Sequence, residues 1–160
     1  MMMGARAWLR EGRLLLIVAR GTRPDGTSTV DDLLAVDFLL QHPSVLTTFA
    51  SQSSQDAQSW SLPSPAETQS SEEALLRWKR AVGTSIVAPM LGRLIACGLI
   101  THHASGELRL TAHGNGVVQQ LSEGVDLTQQ TRIALVAAEF RDGPDEAHNR
   151  LRLVLEGSAA

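Results

Sequence analysis

The sequence predicts a mainly α fold: a winged helix-turn-helix with a two-stranded β wing, followed by a C-terminal helical hairpin. Three observations predict it. Residues 93–114, "RLIACGLITHHASGELRLTAHG", read as an apolar helix closed by Gly98, then an alternating segment that turns at Ser105-Gly106 and returns. Segments with helix start and stop signals precede this unit. Two amphipathic segments separated by "RDGPDE" follow it.

The first helix is expected over Trp8 to Arg20, after a frayed start "MMMGARAW". Its run Leu14 to Ala19 has no polar side, which predicts burial nearly all round. "GTRPDGTS" is turn chemistry. Thr29 is a good N-cap for the helix "VDDLLAVDFLLQ", with Asp31 and Asp32 in the first turn, where the helix dipole favours acids. His42-Pro43 ends that helix, because a residue before proline is pushed out of the helical region. "SVLTTFA" fits either a short helix or an extended segment.

Residues 51–71 hold eight Ser, four Gln and two Pro, a composition that cannot bury a core and predicts a surface insertion, with Trp60 and Leu62 as pins. Ser70 or Ser71 then caps an amphipathic helix with Leu75, Trp78 and Val82 on one face. Pro89 opens the next helix, "PMLGRLIACG". The wing should lean on the helices through Ile100, Leu108 and Leu110, since an isolated hairpin is marginal in water. "GNGVVQQLSEG" is a short helix. Ile133, Val136, Ala137 and Phe140 form one helical stripe, and Ala147, Leu151, Val154 and Leu155 another. The expected division is a winged-helix domain over 1–126, with the insertion at 51–71, and the helical hairpin over 127–156.

Composition bounds the function. The chain of 160 residues fits one core, and its 43% hydrophobic and 19% charged residues are ordinary for a globular protein. No apolar run reaches the roughly 18 residues a membrane span needs. Arginines precede "LLLIVA", but no small-residue cleavage site follows, so a buried helix of a cytoplasmic protein is expected. The single Cys97 excludes an internal disulfide; in "LIACGLI" it reads as a small core residue. Tyrosine is absent and aromatics are 4%, which disfavours stacking platforms for single strands.

Net charge is −2 over residues 1–70, +2 over 71–113 and −3 over 114–160. The net-positive stretch holds Arg77, Lys79, Arg80 and Arg93, the candidate nucleic-acid contacts. The alternative is a solvated helix face. The helix bearing Arg93 is otherwise Leu, Met, Ile and Ala, with almost nothing to read base edges. Asp37 lies on or beside the apolar stripe of Val30, Leu33 and Leu34 and needs a donor. A backbone turn, Arg13, Arg80 or Arg93 could supply it, or a partner protein could. His102 and His103 are neighbours on a strand and point to opposite faces, so they cannot easily share a metal. No catalytic, metal or cofactor motif is present, and a non-enzyme is expected.

Three stretches together carry a family resemblance: "RLLLIVA", "LLAVDFLLQHP" and "RLIACGLITHHASGELRLTAHG". The chain resembles the middle-component subunits of three-component ABC-ATPase systems, bacterial conflict systems of which Lamassu-type anti-phage defence is one. The resemblance implies a small winged-helix subunit accompanying an SMC-like ATPase and an effector, a nuclease being one such effector. It implies no catalytic residue and no cofactor. Within the "DFLLxxP" word it marks Asp37, Phe38 and Pro43 as structural or partner-contact residues. The serine-rich insertion departs from the pattern. The expected function is therefore a non-catalytic adaptor linking ATPase to effector, with nonspecific contact to double-stranded DNA as a further role. The alternative is an autonomous winged-helix DNA-binding transcriptional regulator.

Overall fold

The computed structural model describes residues 4–52, 87–125 and 127–156, with side chains in the first helix from Arg10 onward. The chain is mainly helical and carries a small three-stranded antiparallel sheet. The stretch 53–86 lies outside the described residues, and with it Trp60, Leu62, the helix expected after Ser71, and Arg77, Lys79 and Arg80.

Helix α1 (Gly4–Arg20) begins four residues before Trp8, within the stretch expected to fray. Leu14, Leu15, Leu16, Ile17 and Val18 are all buried, because α1 packs against the helices Val30–Gln41, Val87–Ala96, Ala112–Gly124 and Leu127–Asp142 and against the strand Glu107–Leu110. The turn after it closes on Gly21, whose φ of 67° is left-handed. A Cβ there would lie 2.7 Å from the Gly26 carbonyl oxygen, so the loop admits only glycine. Asp25 accepts from the Thr27 amide (3.0 Å) and hydroxyl (2.6 Å) and fixes the rest of the turn.

Ser28 and Thr29 then form strand β1, which the sequence does not announce: two residues show no period, and turn chemistry masks them. The sheet therefore has three strands where a two-stranded wing was expected. Helix α2 (Val30–Gln41) starts at its Thr29 cap, which accepts from the Asp32 amide at 3.2 Å. Pro43 opens α3 (Pro43–Ser51), bent by 108° from α2. "SVLTTFA" is thus helical, and the helix runs into the first residue of the expected insertion.

Helix α4 (Val87–Ala96) ends in a Schellman motif. The Leu99 amide donates to the Leu94 carbonyl and the Gly98 amide to that of Ile95, both at 3.0 Å, with Gly98 at φ 73°. This corrects one expectation: Cys97 is exposed, because it caps the helix at the point where the chain turns away from the core.

Strand β2 (Ile100–His102) pairs antiparallel with β3 (Glu107–Leu110), Ile100 opposite Leu110. The Gly106 amide donates to the His103 carbonyl, and Gly106 takes φ 91°. Strand β1 pairs with the other edge of β3, giving the order β1-β3-β2. Ile100 and Leu108 are buried beneath the sheet and Leu110 is partly so.

Helices α5 (Ala112–Gly124), α6 (Leu127–Asp142) and α7 (Pro144–Leu155) complete the chain. Ile133, Val136, Ala137 and Phe140 of α6 are buried, as are Ala147, Leu151, Val154 and Leu155 of α7. Phe140 stacks on Phe49 of α3 with ring centroids 6.1 Å apart, and the Arg150 guanidinium lies 4.0 Å over Phe49. The buried apolar side chains form one cluster that reaches from Leu14 to Leu155. Among the described residues no single helix is long and apolar enough to cross a membrane.

Gly114 sets how closely α5 seats on the sheet. A Cβ on it would come within 2.1 Å of the Leu99 carbonyl oxygen, a backbone atom already accepting from the Thr111 amide. Gly114→Ala must push α5 away from the sheet. Because a backbone carbonyl cannot rotate aside like a side chain, overpacking outweighs the gain in helix propensity, at most about 1 kcal/mol. The expected net loss is about 2 kcal/mol in chemical denaturation.

Candidate functional site

Two buried carboxylates on α2 tie that helix to α1, to the turn after α1 and to α7. Asp37 is 1% exposed. Its Oδ1 accepts from Arg13 Nε at 2.9 Å, and its Oδ2 from Arg10 Nη2 at 3.3 Å and Gln41 Nε2 at 2.6 Å. The partners come from α1 and from the next turn of α2. Arg13 is among the donors the sequence offered. Arg10 and Gln41 are partners the sequence does not single out, although Gln41 lies one turn on along the same helix. Arg93, another offered donor, pairs elsewhere. Phe38 is buried with its ring centroid 4.2 Å from that of His42, and Pro43 is half-buried at the first position of α3.

Asp32 is fully buried. Its Oδ1 lies 2.6 Å from His148 Nε2 of α7, and its Oδ2 lies 3.1 Å from the Thr22 hydroxyl and 2.7 Å from Arg23 Nε in the turn after α1. An ionised carboxylate only accepts, so Nε2 of His148 carries the proton. Burial pushes the Asp32 pKa up, but the His148 hydrogen bond, the Arg23 charge and the Thr22 hydroxyl together outweigh burial and hold it below the usual carboxylate range. Sequence reasoning missed this cluster. An acid in a first helical turn is already explained by the dipole, and His148 is 116 residues away.

The outward face of α4 is made of Ala88, Pro89, Gly92, Arg93, Ile95 and Ala96. Val87, Met90, Leu91 and Leu94 turn inward. Ile95 is 39% exposed, unusual for an isoleucine beside a complete core. Arg93 is the single charge on this face. Its side chain is 55% exposed and ion-pairs with Glu11 of α1. An exposed pair of this kind is worth about 0–1 kcal/mol, so it would give way to a phosphate at little cost. The pairing therefore leaves phosphate contact open, whereas the rest of the face bears on base readout. It offers no amide or hydroxyl side chain to a base edge.

The sheet adds little positive charge. Arg109 pairs with Glu107 of the same strand (3.6 Å) and lies 4.0 Å from Asp25. His102, His103 and His113 are exposed, and among the described residues no group of three or more His, Cys, Asp or Glu could hold a metal ion. Of the four expected phosphate contacts, Arg93 alone falls within the described residues; Arg77, Lys79 and Arg80 lie outside them.

No protein-family model, curated protein or solved structure matches the chain.

Proposed function

We propose that this chain is a non-catalytic winged-helix adaptor subunit of an ABC/SMC-like ATPase complex of the anti-phage defence type, linking the ATPase to an effector. The observation that carries the reading is the outward face of α4. In a winged helix this is the helix that would enter the major groove. Here it presents alanine, proline, glycine and a half-exposed isoleucine with one arginine, a surface suited to protein and poorly suited to bases. Among the described residues the order helix, strand, helix, helix, helix, strand, strand supports a winged helix, with β1 as one edge strand of the small sheet. The last two helices, α6 and α7, pack on one another and on α2, which supports reading them as an appended helical hairpin. The resemblance in "DFLLQHP" supplies the partner class, and the reading places the protein in the cytoplasm.

A gel shift with random duplex, beside co-purification with the cognate ATPase at low and high salt, tests this. Weak, sequence-independent duplex binding that falls steeply with salt is expected from the isolated chain, with salt-resistant retention of the ATPase. Tight, sequence-selective duplex binding, lost on changing Arg80 and Arg93 to Glu, with no ATPase retained, would make the chain a transcriptional regulator instead.

A further inference from the structure

The Asp37 cluster has an unbalanced charge. Among the described residues, the ion pairs of Arg10 and Arg13 are both made to this one carboxylate. Gln41 adds a neutral amide. Two guanidinium groups against one carboxylate leave a net positive charge, and each arginine side chain is about one quarter exposed. Such a charge, partly removed from water, favours a further anion.

A cavity of about 370 Å³ adjoins it. Arg13 forms one part of its wall and Gln129 another, and the remainder is apolar: Gly12, Leu16, Leu40, Leu121, Val125 and Ile133. The volume falls in the range of small-ligand sites, about 300–1,000 Å³, and the lining has their usual character of apolar walls with a few polar groups. Arg13 gives its Nε to Asp37, while its two terminal nitrogens have no acceptor among the described residues. A guanidinium fork with free terminal N–H groups suits a carboxylate.

We propose that this cavity between α1, α5 and α6 binds a small amphipathic carboxylate, its acid group on Arg13 and its alkyl body against Leu16, Leu121 and Ile133. A polar anion would leave the apolar walls unmatched, and a neutral apolar ligand would leave the charge unmatched. The site is independent of the α4 face, so it can stand or fall apart from the adaptor reading.

Calorimetric titration of the full chain with octanoate, octanol and octylamine tests the site. Saturable binding of octanoate is expected, with octanol at least tenfold weaker and octylamine not bound. Gln129→Glu places an acid in the cavity wall from an exposed helical position and should weaken octanoate at least tenfold. Leu121 sits over Gly12, its methyl groups 3.6 Å from where a Cβ on that glycine would be, so Leu121→Phe fills the space and should abolish binding. Circular dichroism and thermal melting confirm that both variants fold; if Leu121→Phe does not, Gln129→Glu alone decides. Absence of saturable octanoate binding, equal binding of octanol, or wild-type octanoate affinity in Gln129→Glu would each overturn the proposal.

Discussion

Asp37→Ala is expected to destabilise the fold by about 3 kcal/mol, on the order of 10 °C in Tm. The loss does not come from one hydrogen bond, which is worth about 1 kcal/mol net. It comes from what remains: Arg10 and Arg13 side by side in α1 with no carboxylate between them, and the Gln41 amide without its acceptor. Each arginine can move partly into water, which keeps the loss at the lower end of the range for a broken buried pair. A second result separates charge from packing. Replacing the triad together, Asp37→Leu with Arg10→Met and Arg13→Met, should recover most of the stability, because no unpaired charge is left. Urea denaturation of the two proteins beside wild type makes the comparison. A single variant that melted like wild type would place Asp37 outside the framework.

Asp32→Ala should cost about 2–3 kcal/mol and should act at a distance. It strips partners from buried Thr22, from Arg23 in the turn, and from His148 on α7. Because the carboxylate joins the turn after α1 to the C-terminal helix, hydrogen exchange should accelerate in Pro144–Leu155 before the rest of the core. The pH dependence follows from the direction of the shift. The Asp32 pKa is lower folded than its ordinary value of 3.8. Its contribution is therefore fully present above that value and is lost as pH falls through the depressed folded value. The wild-type protein should lose stability below about pH 4 more steeply than Asp32→Asn, which binds no proton there. Parallel acid limbs for the two proteins would remove Asp32 from the account of acid sensitivity.

Much of this framework is legible before any coordinate, for identifiable reasons. The stripes Ile133-Val136-Ala137-Phe140 and Ala147-Leu151-Val154-Leu155 repeat over several turns, and each residue in them is buried. Thr29, Gly98 and Gly106 sit where a cap, a left-handed helix end and a turn require their chemistry. Asp37 is conspicuous in the sequence because a carboxylate on an apolar stripe conflicts with its surroundings, and such conflicts mark special positions. Asp32 raised no conflict, and so its burial was hidden. Strand β1 was hidden because two residues cannot show alternation, and its pairing with β3 is tertiary. Cys97 was misplaced because hydrophobic neighbours suggest burial, while the Schellman turn aims the cap residue outward.

The proposed adaptor role of the α4 face is tested most directly by co-purification of the proposed SMC-like ATPase partner with two variants, one at the apolar centre of the face and one at its cation. Ile95→Asp puts a carboxylate on the exposed apolar centre of the face, and Arg93→Glu reverses its single cation, both at exposed positions that leave the core intact. Both are compared with wild type at high salt, where contacts between exposed charges are screened. The adaptor account predicts that Ile95→Asp loses the ATPase at least tenfold and that Arg93→Glu retains it. Full retention by Ile95→Asp, with loss in Arg93→Glu, would contradict an apolar protein contact through α4.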